Sequence, residues 1–432
     1  CGLFQGGREI EEENAAPFGF DAAVIDVVLL THAHLDHCGR LPLLIKRGFA
    51  GEIIATGATH DLARLVMLDA AHLQEEDIRH RAQQTPRQAA NDDAAPLYTA
   101  RDATDSLARF GRTAAYGEPL TLGGAGRATF IDAGHILGSA SILLELQETG
   151  RRFAVLFSGD LGNAGRPLLR GPATPPHADA VVIETTYGDR LHKPIGPSIE
   201  EFYAAVTDTL RRGGNVVIPT FALERAQELL FVLHQGVEQG RLPKTIQVFL
   251  DSPMAISAID VFRQHPEGLD ATTARLIADG KDPLSLPGLH LTRDTAASIA
   301  INTIKSGAII MAGAGMCTGG RIRHHLLHNL SRAESSIVFV GYQAERTLGR
   351  QIVEGARSVR IFGEDVAVHA QVHTINGLSA HADQAELLAW HRHTGAARTF
   401  LTHGEAPTME AFAAKLSGTR VEMPALGQSF EL

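Results

Sequence analysis

Cysteine is scarce in this sequence of 432 residues, and its three copies, Cys1, Cys38 and Cys317, lie far apart. That spacing suggests no disulfide framework and favours a reducing compartment, so we expect a cytoplasmic protein. No apolar run reaches the roughly 18 residues that a membrane span requires, so we expect no membrane partner. Positive charge is also in deficit, because the formal net charge is −10. This argues against a protein that coats nucleic acid non-specifically but is compatible with a local basic groove.

Histidine, by contrast, is abundant, with 21 copies against 5 tyrosines and 1 tryptophan, so position must decide which histidines carry chemistry. The stretch LLTHAHLDHCGR places His32, His34, Asp36 and His37 directly after an apolar run that predicts a buried strand over 22–32. In an extended turn His32 and His34 point to the same side. Asp36 and His37 lie one turn onward and can face a second ion. Imidazole and carboxylate are zinc ligands, which favours two adjacent metals over the alternative, a polar helix cap with chance histidines.

Further candidate ligands follow predicted strands elsewhere in the chain, each beside a glycine. These are His135 in AGHILGSA, Asp160 in LFSGDLG and His403 in FLTHGE. A lone histidine is more often an ordinary surface or core residue than a ligand. Three such positions at strand ends, together with the opening motif, supply a complete set for two metals, and a carboxylate at Asp160 can bridge both ions.

The order of predicted elements indicates two kinds of layered structure. The first third of the chain reads as strands with added helices, which is typical of an α/β layered domain. After Gly188, apolar strands alternate with helices, which predicts a mostly parallel sheet covered on both faces. From about residue 365 the chain is again rich in predicted strands. The polar stretch 83–96 is the best candidate for a mobile loop.

Six further motifs, in chain order, are ETTYGDR, PTFALERAQELL, LDSPMA, AGAGMCTGGRIRHHL, GLSAHAD and LTHGE. Together with the metal motifs they resemble the β-CASP ribonucleases of the metallo-β-lactamase fold. That branch includes the endonuclease of eukaryotic pre-mRNA 3′-end cleavage and its bacterial and archaeal relatives. The resemblance spans essentially the whole chain. It implies an α/β fold: a metallo-β-lactamase αββα sandwich with an inserted α/β β-CASP domain that has a mostly parallel sheet.

The resemblance also implies domain boundaries. Residues 1–188 would form the N-terminal part of the metallo-β-lactamase domain, 189–370 the β-CASP domain that closes over the metal site, and 371–432 the C-terminal part. The family's first motif is an aspartate directly before the residue that is Cys1 here, and this chain lacks it. The preceding hairpin is missing too, so we expect the sheet to lack a strand pair. Because the chain begins with Cys1 and not with Met, we also expect sequence upstream of it.

The residue roles that the resemblance implies concern two zinc ions and a proton donor. His32, His34 and His135 would hold one zinc, Asp36, His37 and His403 the other, and Asp160 would bridge them. Glu184 falls on the family's acidic position and His381 on its catalytic histidine. The predicted catalytic residues are therefore His381, Glu184 and Asp36. The alternative for Glu184 and His381 is that they only form supporting hydrogen bonds around the metal ligands.

The predicted reaction is hydrolysis of phosphodiester bonds in single-stranded RNA. A hydroxide activated by two zinc ions would attack phosphorus, and His381, supported by Glu184, would protonate the leaving 3′ oxygen. A DNA nuclease is the first alternative, but the family's DNA branch typically lacks the last histidine ligand, and His403 is present. A small-molecule hydrolase of the same fold is the second, but it would not need so large an inserted domain. We expect an RNA partner, no stable DNA binding, and a homodimer as one option.

Substrate contacts are harder to place from sequence. Between 321 and 360 seven arginines (Arg321, Arg323, Arg332, Arg346, Arg350, Arg357 and Arg360) face three glutamates (Glu334, Glu345 and Glu354), a local basic excess. The candidate substrate-binding residues are Arg225, Gly315, Gly319, Gly320 and Arg321. The glycines could present backbone N–H groups to a phosphate at a helix N-terminus, or could simply form a tight packing turn. Arg225 could face the cleft or solvent, and Arg321 could be an ordinary solvated residue.

Overall fold

A computed structural model describes residues 1–4, 13–84, 95–148 and 150–432. These residues fall into two compact units. The first unit comprises Cys1–Gly162, Gly171–Leu191 and His381–Leu432, and the second comprises Asn163–Arg170 and His192–Ala380. The predicted mobile loop lies mainly at 85–94, outside the described residues. No helix in the described part of the chain is long and apolar enough to cross a membrane.

The strands, in chain order, are β1 (Val27–Leu29), β2 (Glu52–Thr56), β3 (Phe110–Ala114), β4 (Pro119–Thr121), β5 (Arg127–Asp132), β6 (Ala140–Glu148), β7 (Arg151–Phe157), β8 (Ala180–Glu184), β9 (Val216–Pro219), β10 (Gln247–Asp251), β11 (Leu289–Leu291), β12 (Ala308–Ala312), β13 (Ser336–Phe339), β14 (Ser358–Ile361), β15 (Glu364–Ala367), β16 (Gln371–Thr374), β17 (Arg398–Thr402) and β18 (Arg420–Glu422).

The helices are α1 (Leu35–Cys38), α2 (Leu41–Lys46), α3 (Gly57–Gln84), α4 (Ala100–Ser106), α5 (Ile195–Arg211), α6 (Arg225–Glu238), α7 (Pro253–Gln264), α8 (Ala271–Ala278), α9 (Thr295–Ile301), α10 (Ile322–Asn329), α11 (Leu348–Val353), α12 (Gln384–Thr394) and α13 (Ala406–Ala413). Short 3-10 turns occupy Ala22–Val24, Leu107–Arg109, Gly123–Ala125, Pro266–Gly268 and Asn376–Leu378.

The first unit is a sandwich of two sheets with helices outside. One sheet has the order β1-β2-β3, and the other has the order β18-β17-β8-β7-β6-β5-β4. Ile54 of the small sheet packs with Phe130 and Ile142 of the large one, so the two inner faces share a core. Helix α3 packs against β2 and β3. Trp390 and Phe412, from α12 and α13, lie in a second core with residues of the large sheet. The predicted αββα arrangement is confirmed.

The second unit is built on a six-stranded sheet in the order β11-β10-β12-β9-β13-β16, with every strand pair parallel. Every residue of β9, β12 and β13 is buried. Because alternate side chains of a strand point to opposite faces, this burial means that both faces are covered. Continuous apolar runs such as VVIP are the sequence form of that environment. The predicted mostly parallel sheet is confirmed.

Two details differ from the sequence prediction. The predicted strand 22–32 is shorter, because Asp21 accepts a hydrogen bond from Ala23 N at 2.9 Å and starts a 3-10 turn before β1. The compact units divide after Ala380, because β16 pairs with β13 in the second unit's sheet, whereas the predicted domain boundary at 370 stays a prediction. This pairing brings together residues over 30 positions apart, which local sequence pattern does not reveal.

The loop between β5 and β6 requires glycine at position 138. Gly138 has φ +80°, and its carbonyl accepts hydrogen bonds from Thr56 Oγ1 at 2.7 Å and Thr59 Oγ1 at 2.8 Å. A Cβ at Gly138 would lie 2.6 Å from Thr59 N. This loop also carries His135, so its backbone fixes one end of the site described below.

We expect Gly138→Ala to lower the free energy of unfolding by about 2–4 kcal/mol, since it adds both a strained φ and a steric clash. Urea denaturation would measure the change. The matched control is Gly124→Ala, where a Cβ has no neighbour within 4 Å and φ is not positive; its effect should stay within about 0.5 kcal/mol. Equal stability of the two variants would contradict the tight packing of this loop.

Candidate metal centre

Seven histidine and aspartate side chains converge at strand ends of the first unit. Strands β5, β7, β8 and β17 run in the same direction, so their carboxyl ends meet at one edge of the large sheet. His135 follows β5, Asp160 follows β7 and His403 follows β17. The remaining side chains come from the segment after β1, where His34 is the N-cap of α1. The seven are His32, His34, Asp36, His37, His135, Asp160 and His403.

The carboxylate of Asp160 lies at the centre of this arrangement, and its side chain is 2% exposed. Its Oδ2 lies 3.4 Å from His32 Nε2 and 3.6 Å from His135 Nε2. Its Oδ1 lies 3.4 Å from His37 Nε2 and 3.7 Å from His403 Nδ1. Each carboxylate oxygen therefore faces a different pair of histidines.

Two groups of predicted ligands result. Potential ligand atoms of His32, His34, His135 and Asp160 all lie within 4.8 Å of one another, and so do those of Asp36, His37 and His403. A third group that meets the same limit overlaps with these and contains Asp160, His381 and His403. In the second group Asp36 Oδ2 lies 3.3 Å from His403 Nε2 and 4.0 Å from His37 Nε2. The geometry thus brings together all seven predicted ligands in the division that the sequence analysis expected. Their role as ligands stays a prediction.

The polar atoms at the centre suit metal ions. His32 Nε2, His37 Nε2 and Asp160 Oδ1 are buried and have no hydrogen-bond partner among the described residues. Such atoms cost free energy unless something satisfies them. A divalent cation would satisfy all three, and imidazole nitrogen with carboxylate oxygen is a donor set that zinc prefers. The residues present therefore fit a metal.

Protonation differs between the two groups. Burial lowers the pKa of His32 to about 4 and that of His34 to about 3. These imidazoles are neutral at physiological pH, as ligands must be. Burial alone would lower the pKa of His403, but Asp160 and Asp36 outweigh it and raise that pKa to about 10. A metal in the second group would therefore displace a proton.

Glu184 and His381 meet beside these groups. His381 Nδ1 lies 3.1 Å from Glu184 Oε1 and 3.2 Å from Oε2. The Glu184 side chain is 1% exposed and accepts hydrogen bonds from Leu161 N at 2.7 Å and Thr186 N at 3.2 Å. The His381 ring lies 4.4 Å from the His135 ring, centroid to centroid. Backbone amides thus fix Glu184, and Glu184 faces one nitrogen of His381. The His381 imidazole lies beside the predicted metal ligand His135.

Two threonines that sequence reasoning missed contact the histidines. Thr31 Oγ1 lies 3.2 Å from His32 Nδ1, and Thr186 Oγ1 lies 2.9 Å from His403 Nδ1. Partners of this kind orient a ligating imidazole and fix its tautomer. Their sequence signal was available but weak: Thr31 precedes His32, and Thr186 stands two residues after Glu184.

The five predicted substrate-binding residues belong to the second unit. Arg225 does not face solvent, because it is buried and paired with Glu228. Arg321 is not a freely solvated residue either: its Nη1 donates to Asp251 Oδ1 at 2.7 Å and its Nη2 to the Arg293 carbonyl at 2.7 Å. Both guanidinium groups contact protein partners, and a substrate-binding role for either residue stays a prediction.

Gly315, Gly319 and Gly320 lie in the loop between β12 and α10. A Cβ at Gly320 would lie 2.4 Å from the Gly313 carbonyl oxygen, and one at Gly315 would lie 2.6 Å from the Phe221 ring. Close packing therefore accounts for these two glycines. Gly319 has open space beside it. A phosphate-binding role for the loop stays a prediction.

Comparison with protein families finds three matching models. Residues 1–219 match the metallo-beta-lactamase superfamily, 226–352 match the Beta-Casp domain, and 365–424 match a Zn-dependent metallo-hydrolase RNA specificity domain. The first match covers about half of the chain.

Similar curated proteins include a ribonuclease of Thermus thermophilus, 40% identical over 99% of this chain and 92% of its own length. A transcription termination factor of Pyrococcus horikoshii is 32% identical over 84% of this chain. An RNase J-like protein of Methanocaldococcus jannaschii is 29% identical over 86% of this chain and 79% of its own length. The aligned region spans only 54% of the termination factor.

The lowered histidine pKa values make the stability of the metal-free protein depend on pH. Below pH 6.5 the unfolded chain protonates His34, whereas the folded chain keeps it neutral down to a pKa of about 3. The unfolded state then binds more protons, so the free energy of unfolding falls as pH falls, by about 1.4 kcal/mol per pH unit for one imidazole. His403 acts in the opposite sense, above pH 6.5, because its pKa is raised.

We expect His34→Gln to reduce this slope between pH 5.5 and 4.5 by about one proton. Urea denaturation of chelator-treated protein at several pH values would measure it. The control is His393→Gln, because His393 is exposed. A slope in His34→Gln equal to that of the wild type would show that burial does not keep this imidazole neutral.

Proposed function

The chain belongs to the β-CASP branch of the metallo-β-lactamase superfamily, and on that premise we propose that it is a zinc-dependent endoribonuclease that cleaves single-stranded RNA. The observation that carries the proposal is the Asp160 carboxylate, whose two oxygens face two separate pairs of histidines. The matched RNA specificity domain and the relatives named as ribonucleases support RNA as the substrate class.

The proposal assigns one zinc to His32, His34 and His135 and the other to Asp36, His37 and His403, with Asp160 shared between them. Bound zinc supplies the nucleophile by acidifying water and counters negative charge on the phosphate. The protein's part is to hold neutral imidazoles and ionised carboxylates in place. Burial alone would raise the pKa of Asp160, but His403 and His37 outweigh it and lower that pKa well below its usual range.

His381 has the role of general acid in this proposal. Glu184 faces its Nδ1 at 3.1 Å, so a proton on the opposite nitrogen, Nε2, is available for transfer. Hydrolysis that leaves a 5′ phosphate breaks the bond to the 3′ oxygen, and that oxygen needs a proton as it departs. The contact with Glu184 holds the ring in one orientation. General acid catalysis of this type contributes about 10²–10⁴-fold in rate.

We expect Asp160→Asn to lower the zinc content from two ions per chain, because the amide removes the negative charge that both histidine pairs face. Metal analysis of the purified protein would measure this. Cleavage of a labelled RNA with blocked ends should be lost in parallel, and chelation followed by added zinc should remove and restore the wild-type activity.

The matched control is Asp105→Asn, which changes an exposed carboxylate paired only loosely with Arg101. It should keep the zinc content and the cleavage rate of the wild type. Wild-type protein that holds no zinc and leaves the RNA intact would overturn the proposed function.

We expect His381→Gln to slow RNA cleavage about 10²–10⁴-fold while zinc content is retained. The same variant should hydrolyse bis(p-nitrophenyl) phosphate nearly as fast as the wild type, because p-nitrophenolate leaves as a stable anion and needs no proton. Initial rates on the two substrates provide the comparison.

His393→Gln serves as the control, because this exposed histidine lies in α12, close in sequence to His381. It should leave both rates unchanged. If His381→Gln slowed both substrates equally, the general-acid role would be excluded, and a role in supporting the metal ligands would replace it.

A further inference from the structure

A buried cluster of four charged side chains lies in the second unit, outside the metal centre. It consists of Arg166, Glu224, Arg225 and Glu228, and each side chain is at most 5% exposed. Arg166 Nε donates to Glu228 Oε1 at 3.1 Å, and Arg166 Nη2 donates to Glu224 Oε1 at 3.3 Å. Arg225 Nη1 donates to Glu228 Oε2. The two positive charges of this cluster balance its two negative charges.

Such a cluster is expensive, because each buried ion loses its hydration. The backbone carries a further cost: Glu224 has φ +67°, in the left-handed region that a residue with a side chain seldom adopts. Strain of this kind persists only where the surroundings hold it. Here it places the Glu224 carboxylate within reach of Arg166. A hydrophobic core would be a cheaper way to gain stability, so the cluster calls for another explanation.

The explanation lies in a third bond from Arg166. Its Nη1 donates to the Ala380 carbonyl oxygen at 2.9 Å. Asn163 N donates to the same oxygen at 3.3 Å, and Asn163 Nδ2 donates to the Gly377 carbonyl at 3.5 Å. Ala380 is the residue directly before His381. The buried guanidinium therefore fixes the peptide group from which His381 begins.

Backbone contacts continue this attachment in the first unit. Ala382 N donates to the Leu161 carbonyl at 2.8 Å, and Gly162 and His381 form an antiparallel bridge. Leu161 follows Asp160, whose two carboxylate oxygens face the two pairs of histidines. The short segment from Asp160 to Arg166 thus carries the carboxylate that faces the histidines at one end. At its other end it carries the arginine that binds the Ala380 carbonyl.

We propose that Arg166 is a positioning residue for His381: it holds the Ala380 carbonyl, and through it the backbone of the general acid, while Glu224 and Glu228 hold Arg166. The inference rests on the proposed function, in which His381 donates the proton. Arginine is required because its planar fork serves three acceptors in different directions. A lysine at this position keeps the charge but lacks the fixed geometry of the donors.

The test is Arg166→Lys. We expect kcat on single-stranded RNA to fall about tenfold or more, since small displacements of a catalytic group have effects of this size. KM should stay within about twofold of the wild-type value, and zinc content should be unchanged. The rate on bis(p-nitrophenyl) phosphate should also be unchanged, because that substrate needs no proton donor. A purely structural role would lower both rates together.

A second variant covers the case in which Arg166→Lys does not fold. Arg166→Met combined with Glu224→Gln removes one charge of each sign and leaves the Arg225–Glu228 pair intact. It should show the same selective loss on RNA. The control is Arg212→Lys, a partly buried arginine of the same unit that donates to Ser336 Oγ at 3.0 Å, and it should keep both rates.

The outcomes separate the two proposals. If His381→Gln shows the dependence on the leaving group but the Arg166 variants do not, only the positioning role of Arg166 is overturned. If His381→Gln slows both substrates equally, the general-acid proposal fails, and the positioning role fails with it. Selective loss on RNA in both His381 and Arg166 variants supports the positioning role.

Discussion

The site depends on one constraint, which is that a carboxylate is buried with a different pair of imidazoles facing each of its oxygens. Asp160 meets His32 and His135 through Oδ2, and His37 and His403 through Oδ1. A buried negative charge without positive partners would be prohibitively costly. The surrounding strand ends must therefore deliver their side chains to fixed places, and the parallel alignment of β7, β8 and β17 makes this possible.

Control of His381 is divided between its side chain and its backbone. Glu184 holds the imidazole, and Glu184 is itself held by the amides of Leu161 and Thr186. The Ala380 carbonyl before it is held by Arg166. In the proposed role of proton donor, an imidazole held at both points would lose little freedom when substrate binds, which is what preorganisation of a site means. The cost is the buried charge around Arg166 and the strained backbone at Glu224, far in sequence from the proposed metal ligands.

The local parts of this architecture could be predicted from sequence, and the non-local parts could not. The seven proposed ligands can be recognised in the sequence because each follows an apolar strand and stands beside glycine or another proposed ligand. The residues that pair with a buried charged side chain leave no comparable pattern in the sequence. Arg225 looks like a surface arginine of an amphipathic helix until Glu228 and Arg166 are seen around it. The placement of β16 is a similar case, since only its pairing with β13 assigns it to the second unit's sheet.

The arginine-rich stretch 321–360 has less free charge than its composition suggests. Arg321 is bound to Asp251, Arg332 to Glu334 and Arg350 to Glu354. Three of its seven positive charges are thus neutralised within the fold, in a chain whose formal net charge is −10. Diffuse attraction of this stretch to phosphate would therefore be weaker than its composition suggests, and the proposed binding of RNA would depend more on placed contacts. A nuclease built this way would depend on positioned groups more than on charge density. The same holds for His381, whose position is set by individual hydrogen bonds.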